Sequence, residues 1–322
     1  MQGKALEAEA ESAVYVGIDT SKAWLDVYLH PIGHASRVEN SKDGLRGLAR
    51  DLQKLGIAMI VIEATGKLHR LAHRMLSQAG FPVAVVNPHR SRKLADVFGQ
   101  LAKTDKIDAR ILALFGALVH PRVTPVPAKA LAELQELVLA RQGLKADETA
   151  LVNRLAAAEN RFVKQILDGQ LRQLRRNLRR LEARIEAVIA GDAGLQRRFD
   201  ILTSIKGIGS IVAATLVGCL AELGQLSRGG IALLAGLAPL NCDSGQMRGQ
   251  RHIKGGRGHV RTSLYMAAIC AIRCNPDLKT VYQRLRKNGK AAKVAITAVM
   301  RKLVILANTL IREDRHWEPI HA

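Results

Sequence analysis

An α/β sheet domain followed by a mainly helical remainder is the fold class that the sequence predicts, on three observations. Short apolar runs alternate with helical stretches from Val14 to about Phe98, a leucine repeat at three-then-four spacing fills the middle, and the last third joins long apolar helices through Gly-bearing turns. Aromatic residues make up only 3% of a chain that is 48% hydrophobic, so its cores are built from Leu, Val, Ile and Ala, a composition that favours helix packing.

The first run, VYVGID (14–19), ends in a carboxylate; WLDVYLH (24–30) alternates, and HASRVEN (34–40) returns after a Pro-Ile-Gly turn. Ser41 is placed to cap a helix that runs to about Leu55. IAMIVIEA (57–64) is a continuous apolar run and reads as a buried strand. KLHRLAHRMLSQAG (67–80) is helical with a stop at Gly80, FPVAVVNP (81–88) is another short strand, and a helix follows through RKLADVF (92–98). A meander followed by alternating helix and strand predicts a mixed sheet, and the ribonuclease-H-like fold has this order.

Pro121, Pro125 and Pro127 punctuate a boundary, giving expected divisions at 1–127, 128–200 and 201–322. In the middle division Leu171, Leu174, Leu178, Leu181, Ile185 and Val188 form a heptad seam, continued upstream by Leu151, Leu155 and Phe162 after a register break near Ile166. Between the seam positions lie Arg172, Arg175, Arg176, Arg179, Arg180 and Arg184. The pattern suits a helix packed inside one chain with a solvated Arg face. It also suits a coiled-coil arm that pairs two protomers and lays its Arg face on nucleic acid, and the second is expected.

Lys and Arg total 49 against 28 acidic residues, a net charge of +21. Such a surplus repels itself in a compact fold and favours a polyanionic partner, which points to nucleic acid. No stretch is expected to reach the roughly 20 apolar residues of a membrane span, and the N-terminus lacks the layout of a signal peptide. The four cysteines form no CxxC pair, which fits a reducing, cytoplasmic setting, and their spacing with His252 or His259 is wrong for zinc.

Asp19 and Glu63 stand at the ends of two strands, where polar groups of an α/β sheet gather beside ligands. Asp105 and Asp108, in KTDKIDAR, share one face if that segment is helical. Taken singly, each has a structural explanation: a turn former, a lysine partner, a helix-start pair. Together, four carboxylates repel one another unless divalent cations lie among them, and an all-oxygen set suits Mg²⁺ or Mn²⁺. Asp26 and Asp96 are left outside this set.

Ser244, between Asp243 and Gly245, precedes a Gly-rich basic run that includes Arg248, Arg251, Lys254, Arg257 and Arg261, with Asp277 as the only acid from Gln246 to Lys293. The run reads as a surface that grips phosphates. The serine is either an ordinary turn residue or a nucleophile awaiting activation. The KGIGS turn, with Lys206, Gly207 and Gly209 ahead of a helix, resembles the hairpin of a helix-hairpin-helix element whose backbone amides hold phosphate.

GIDTSK, IEATG and KTDKIDA, then KGIGS, then a DSG loop leading into GGRGHVRTSLYMAA, resemble in this order the IS110 family of transposases and the related Piv-type DNA invertases. The resemblance covers nearly the whole chain. It implies a RuvC-like Asp-Glu-Asp-Asp domain with metal ligands Asp19, Glu63, Asp105 and Asp108, and a transposase domain with catalytic Ser244. It further implies a covalent phosphoserine intermediate, Mg²⁺, donor and target DNA, a guiding bridge RNA, dimers that assemble into tetramers, and action at the bacterial nucleoid. One departure is local: Ser244 follows Asp243, where many relatives carry a second serine. The alternatives are a RuvC-like junction endonuclease and a non-catalytic nucleic-acid-binding protein.

Overall fold

The computed structural model describes residues 13–100, 105–241, 249 and 251–319, and the chain divides into two compact units, 1–126 and 127–322. The first unit carries β1 (Val14–Thr20), β2 (Trp24–His30), β3 (His34–Glu39), α1 (Lys42–Leu52), β4 (Ile57–Glu63), α2 (His69–Gln78), β5 (Val83–Val86), α3 (Pro88–Val97) and α4 (Asp105–Val119). Its five-stranded sheet has the order β3-β2-β1-β4-β5. The meander pairs are antiparallel, whereas β4 joins β1 and β5 joins β4 in parallel.

Alternation along the strands sorts side chains onto two faces. Val16 and Ile18 of β1, Leu25 and Val27 of β2 and Ile60 and Ile62 of β4 pack with Leu45, Leu48 and Leu52 of α1 and with Ala72 and Leu76 of α2. Ser41 starts α1 as expected: its hydroxyl accepts from the Gly44 amide at 3.1 Å, a cap that contributes about 1 kcal/mol. On the opposite face Val61 and Val86 pack with Leu112 and Phe115 of α4, with Leu94 of α3 beside them. The sheet is therefore covered by α1 and α2 on one side and by α3 and α4 on the other.

Gly17 sets how closely α4 approaches. A β-carbon there would stand 2.0 Å from the Ala109 carbonyl oxygen and 2.4 Å from the Ala113 nitrogen, so only glycine lets the helix backbone lie directly on β1. Farther along α4, Gly116 meets Tyr15 in the same way, its added β-carbon 3.1 Å from the ring. The helix thus runs back along β1.

The second unit holds α5 (Lys129–Ala157), α6 (Arg161–Ala190), α7 (Ala193–Ser204), α8 (Ser210–Cys219), α9 (Arg228–Leu234), a short β6 (Pro239–Leu240) and β7 (His252–Ile253) pair, α10 (Gly258–Cys274), α11 (Pro276–Lys287) and α12 (Ala292–Arg312). α5 and α6 form an antiparallel hairpin, tied by Arg141–Glu182 at 2.7 Å, Arg175–Glu148 at 2.9 Å and Arg184–Glu133. Leu171, Leu178, Ile185 and Val188 of the leucine seam are buried in the single chain. This corrects the expectation that the seam faces another protomer: α5 of the same chain already covers it. At the hairpin's tip Val152, Phe162, Val163 and Ile166 are exposed.

A second correction concerns apolar length. α12 spans 21 residues and is long and apolar enough, by composition, to cross a membrane. Its apolar side, however, supplies Val299, Met300, Leu303, Val304, Ala307 and Leu310 to the core of the second unit, where they pack with residues of α7 to α10.

Candidate functional site

Strand register brings two of the four expected carboxylates side by side. β1 and β4 pair in parallel through Ile18–Ile62, and one residue further along each strand lie Asp19 and Glu63, on the face that α4 covers. Since α4 runs antiparallel to β1, its earlier residues lie over the later residues of the strand. Two strand residues advance about 6.6 Å and four to five helical residues about the same. With Ala109 and Ala113 over Gly17, the first turn of α4, which holds Asp105 and Asp108, falls toward Asp19. Glu63 and Asp108 line one cavity. Asp105 opens α4, and its side chain lies outside the described atoms.

Among the described residues, hydroxyls rather than lysines or arginines hold Glu63. Ser91 of α3 stands 2.6 Å from its Oε2, and Thr65 donates to Oε1 at a long 3.5 Å. The Ser91 hydroxyl also lies 2.9 Å from the Pro88 carbonyl oxygen, so its one proton has two acceptors. Asp19 Oδ1 accepts from the Thr20 amide at 2.9 Å.

The same row of the sheet continues outward. Asp26 is paired with Asp19 across β1 and β2, and Arg37 with Asp26 across β2 and β3. Asp26 is buried, and the Arg37 guanidinium grips both its oxygens, Nε to Oδ1 at 2.8 Å and Nη2 to Oδ2 at 2.9 Å. Like charges directly opposite on a sheet destabilise it, and the bidentate arginine offsets that repulsion. Sequence reading missed Ser91, Thr65 and Arg37, and it named Asp26 only to leave it outside the carboxylate set, where its bidentate bond to Arg37 keeps it. Strand alternation puts Asp26 on the same face as Asp19, whereas nothing in the sequence singles out Ser91.

Among the described residues, no three His, Cys, Asp or Glu side chains are gathered closely enough to hold a metal ion. The donor chemistry nevertheless fits a divalent cation. Asp19, Glu63 and Asp108 come from three elements that meet on one face, all offer carboxylate oxygen, and Glu63 is oriented by hydroxyl groups.

In the second unit Ser244, Asp243 and Arg248 lie outside the described residues. Ser244 falls in sequence between β6 and β7, whose pairing sets Leu240 against His252. The base of that pair is tightly built. A β-carbon on Gly256 would stand 2.1 Å from the Gly236 nitrogen, so two backbones cross where only glycine fits.

Arg257 and Arg261 differ from the expectation of a freely exposed phosphate grip. Arg257 donates to both oxygens of Glu222, at 2.7 and 2.6 Å, and to the Cys219 carbonyl at 2.8 Å. Arg261 donates to the Gly255 carbonyl at 2.8 Å. Both guanidinium groups tie the loop to the helices behind it. Burial raises the Glu222 pKa, but the Arg257 hydrogen bonds and charge outweigh it and hold the group below its ordinary value. His259 is pushed down, first by burial and then by the Arg257 charge. Arg251 and Lys254 are exposed.

The KGIGS segment is the turn that joins α7 to α8. Gly207 is needed there for packing: its φ is 106°, and a β-carbon would stand 2.5 Å from that of Ala271. Gly209 faces open space and Lys206 is exposed. On α6, Arg172 pairs with Asp168 at 3.2 Å, Arg175 with Glu148, and Arg176 bonds Gln173. Arg179 is exposed and has no ion pair among the described residues.

Comparison with known proteins matches both units. A family model described as Transposase covers residues 16–162, and a second, described as Transposase IS116/IS110/IS902 family, covers 199–283. The pilin gene-inverting protein of Moraxella bovis is 28% identical over 95% of this chain and 98% of its own length. A probable family 20 transposase of Pseudomonas aeruginosa is 27% identical over 92% of this chain and 97% of its own. The insertion element IS110 uncharacterized 43.6 kDa protein of Streptomyces coelicolor is 22% identical over 95% of both. With acids at the ends of neighbouring strands in one unit and a basic run in the other, the chain belongs to the IS110 family of transposases, enzymes that act on DNA.

Proposed function

We propose that the chain is a recombinase that cuts and rejoins DNA through a metal-dependent carboxylate site on a ribonuclease-H-like sheet and through Ser244 as a separate nucleophile. The observation that carries this reading is the juxtaposition of Asp19 and Glu63 on neighbouring parallel strands beneath the first turn of α4. Asp19, Glu63, Asp105 and Asp108 would hold Mg²⁺ or Mn²⁺. When bound, such an ion neutralises a phosphodiester and favours an oxygen nucleophile.

In the cutting step the Ser244 Oγ–P bond forms and the bond from phosphorus to one deoxyribose oxygen breaks. The serine proton leaves to a base, and the departing sugar oxygen takes up a proton. Rejoining is the reverse, with a deoxyribose hydroxyl attacking the phosphoserine, so the ester is conserved and no external energy is needed. A purely hydrolytic nuclease has no use for a second nucleophile. The name of the Moraxella protein, which refers to inverting a pilin gene, supports a reaction that reseals DNA.

Donor and target DNA are the substrates of this reading, with specificity supplied by a bridge RNA, so that base pairing reads sequence while the protein grips backbone. Lys206, Gly207, Gly209, Arg248, Arg251, Lys254 and the α6 arginines Arg172, Arg175, Arg176 and Arg179 would meet phosphates. The exposed apolar tip of the α5–α6 hairpin, with Phe162 and Ile166, supports dimers that assemble into tetramers. The division at 1–127, 128–200 and 201–322, and a cytoplasmic location at the nucleoid, belong to the same reading.

The test is adduct formation on end-labelled element DNA, resolved by denaturing electrophoresis. Wild-type protein is expected to trap a covalent protein–DNA species, while Ser244→Ala and Asp19→Asn form none. Undiminished cleavage by Ser244→Ala would instead favour the junction endonuclease, and DNA binding without any Mg²⁺-dependent cleavage would favour a non-catalytic binder.

A further inference from the structure

The cavity beside Glu63 and Asp108 has a basic wall. It measures about 280 Å³, and His89 and Arg92 of α3 line it together with those two carboxylates and Ser91. The residues of α3 alternate in task along the helix. Ser91 and Ala95 are buried, Ser91 against Glu63, whereas His89 and Arg92 are exposed at the mouth. Arg90 is used otherwise, its guanidinium 5.1 Å from the centre of the Phe115 ring.

Arg92 is loosely held. Its ion pair is with Asp96, one turn along its own helix, at 3.5 Å, and both side chains are about half exposed (43% and 57%). Pairs of this kind contribute little and are readily exchanged for a stronger anion. A phosphodiester is such an anion, because its two free oxygens match the guanidinium fork. It also needs help here: a negative phosphate entering beside carboxylates is repelled, and the Arg92 guanidinium on the cavity wall supplies the opposing charge.

We propose that Arg92 and His89 bind the phosphate of the DNA strand brought to the carboxylate site, with Arg92 as the fork and His89 as a second hydrogen-bonding group at the mouth. This rests on the reading of Asp19, Glu63, Asp105 and Asp108 as a metal site. The basic run of the second unit would grip DNA in general, whereas α3 would fix the reacting phosphate against Glu63 and Asp108.

Two measurements on the full chain separate the claims: Mn²⁺ affinity by electron paramagnetic resonance, and affinity for a fluorescein-labelled 40-base-pair duplex in Ca²⁺ buffer across a salt series. Arg92→Gln should weaken duplex binding several-fold and lower the slope of log affinity against log salt by about 1, as for one lost phosphate contact. His89→Gln should weaken it less. Mn²⁺ affinity should be unchanged in both, and Arg46→Gln, on the opposite face of the sheet, should alter neither quantity. Arg92→Lys, which keeps the charge and loses the fork, should fall between wild type and Arg92→Gln, and it serves if Arg92→Gln folds poorly.

An unchanged salt slope in Arg92→Gln would overturn the assignment, as would a fall in its Mn²⁺ affinity, which would make Arg92 a support for the carboxylates. A slope change confined to single-stranded RNA of equal length would overturn it in favour of RNA. Wild-type protein that binds no Mn²⁺, or Glu63→Gln that binds it as wild type does, would remove the metal reading itself and this inference with it.

Discussion

The Ser91 hydroxyl stands between two acceptors, 2.6 Å from Glu63 Oε2 and 2.9 Å from the Pro88 carbonyl oxygen. Ser91 is buried, and through it α3 is tied to the last residue of β4. A single proton shared between these acceptors lets Ser91 steer the carboxylate, and would leave it satisfied if Glu63 turned toward the proposed cation.

Ser91→Ala is therefore expected to weaken Mn²⁺ binding by about 10-fold, the lower end of what loss of a group orienting a metal ligand costs. The fold should survive, because the change is small and removes one hydroxyl. Ser91→Thr should restore most of the affinity. Calorimetric titration with Mn²⁺ checks both, and equal affinities for Ser91→Ala and wild type would show that Glu63 needs no such support.

Gly17→Ala places a methyl 2.0 Å from the Ala109 carbonyl oxygen, against backbone that cannot rotate away. Helix α4 must lift off β1, at a cost of about 3 kcal/mol or more. Because α4 carries Asp105 and Asp108, Mn²⁺ affinity should fall together with the melting temperature. Gly47→Ala, at an α1 position with nothing within 4 Å of the added carbon, is the control: it should leave Mn²⁺ affinity unchanged and raise stability by about 0.5–1 kcal/mol, as alanine does in a helix interior.

Glu222 gives the second unit a defined acid sensitivity. Burial opposes its charge, yet the Arg257 hydrogen bonds and charge prevail, so its folded pKa lies below the ordinary 4.5. A depressed carboxylate contributes stability that is fully present above its unfolded pKa and is lost as pH falls through the folded one. Thermal unfolding should therefore show wild type losing part of its advantage over Glu222→Gln as pH drops below 4.5 toward the folded value. At pH 7 Glu222→Gln should be the less stable, by about 1–2 kcal/mol for a half-buried bidentate pair. A constant difference across this range would mean that Glu222 is held by packing alone.

Much of this was legible in the residues themselves. Alternating and continuous apolar runs mark each of the five strands, since side chains on a strand must sort by face, and Ser41 marks the start of α1 by offering an acceptor to free amides. Asp19 and Glu63 announce themselves as acids closing apolar strands, and the net charge of +21 calls for a polyanion whatever the fold. Tertiary structure alone decided what these groups face. Register set Asp26 against Asp19 and gave it Arg37, close packing at Gly17 carried the start of α4 toward the end of β1, and α5 covered a leucine seam expected to meet another chain. It also turned Arg257 inward to Glu222, because one chain position records a charge but not its partner. Spacing in sequence fixes which side of an element a residue occupies, while the neighbour across the gap is chosen only when distant elements pack.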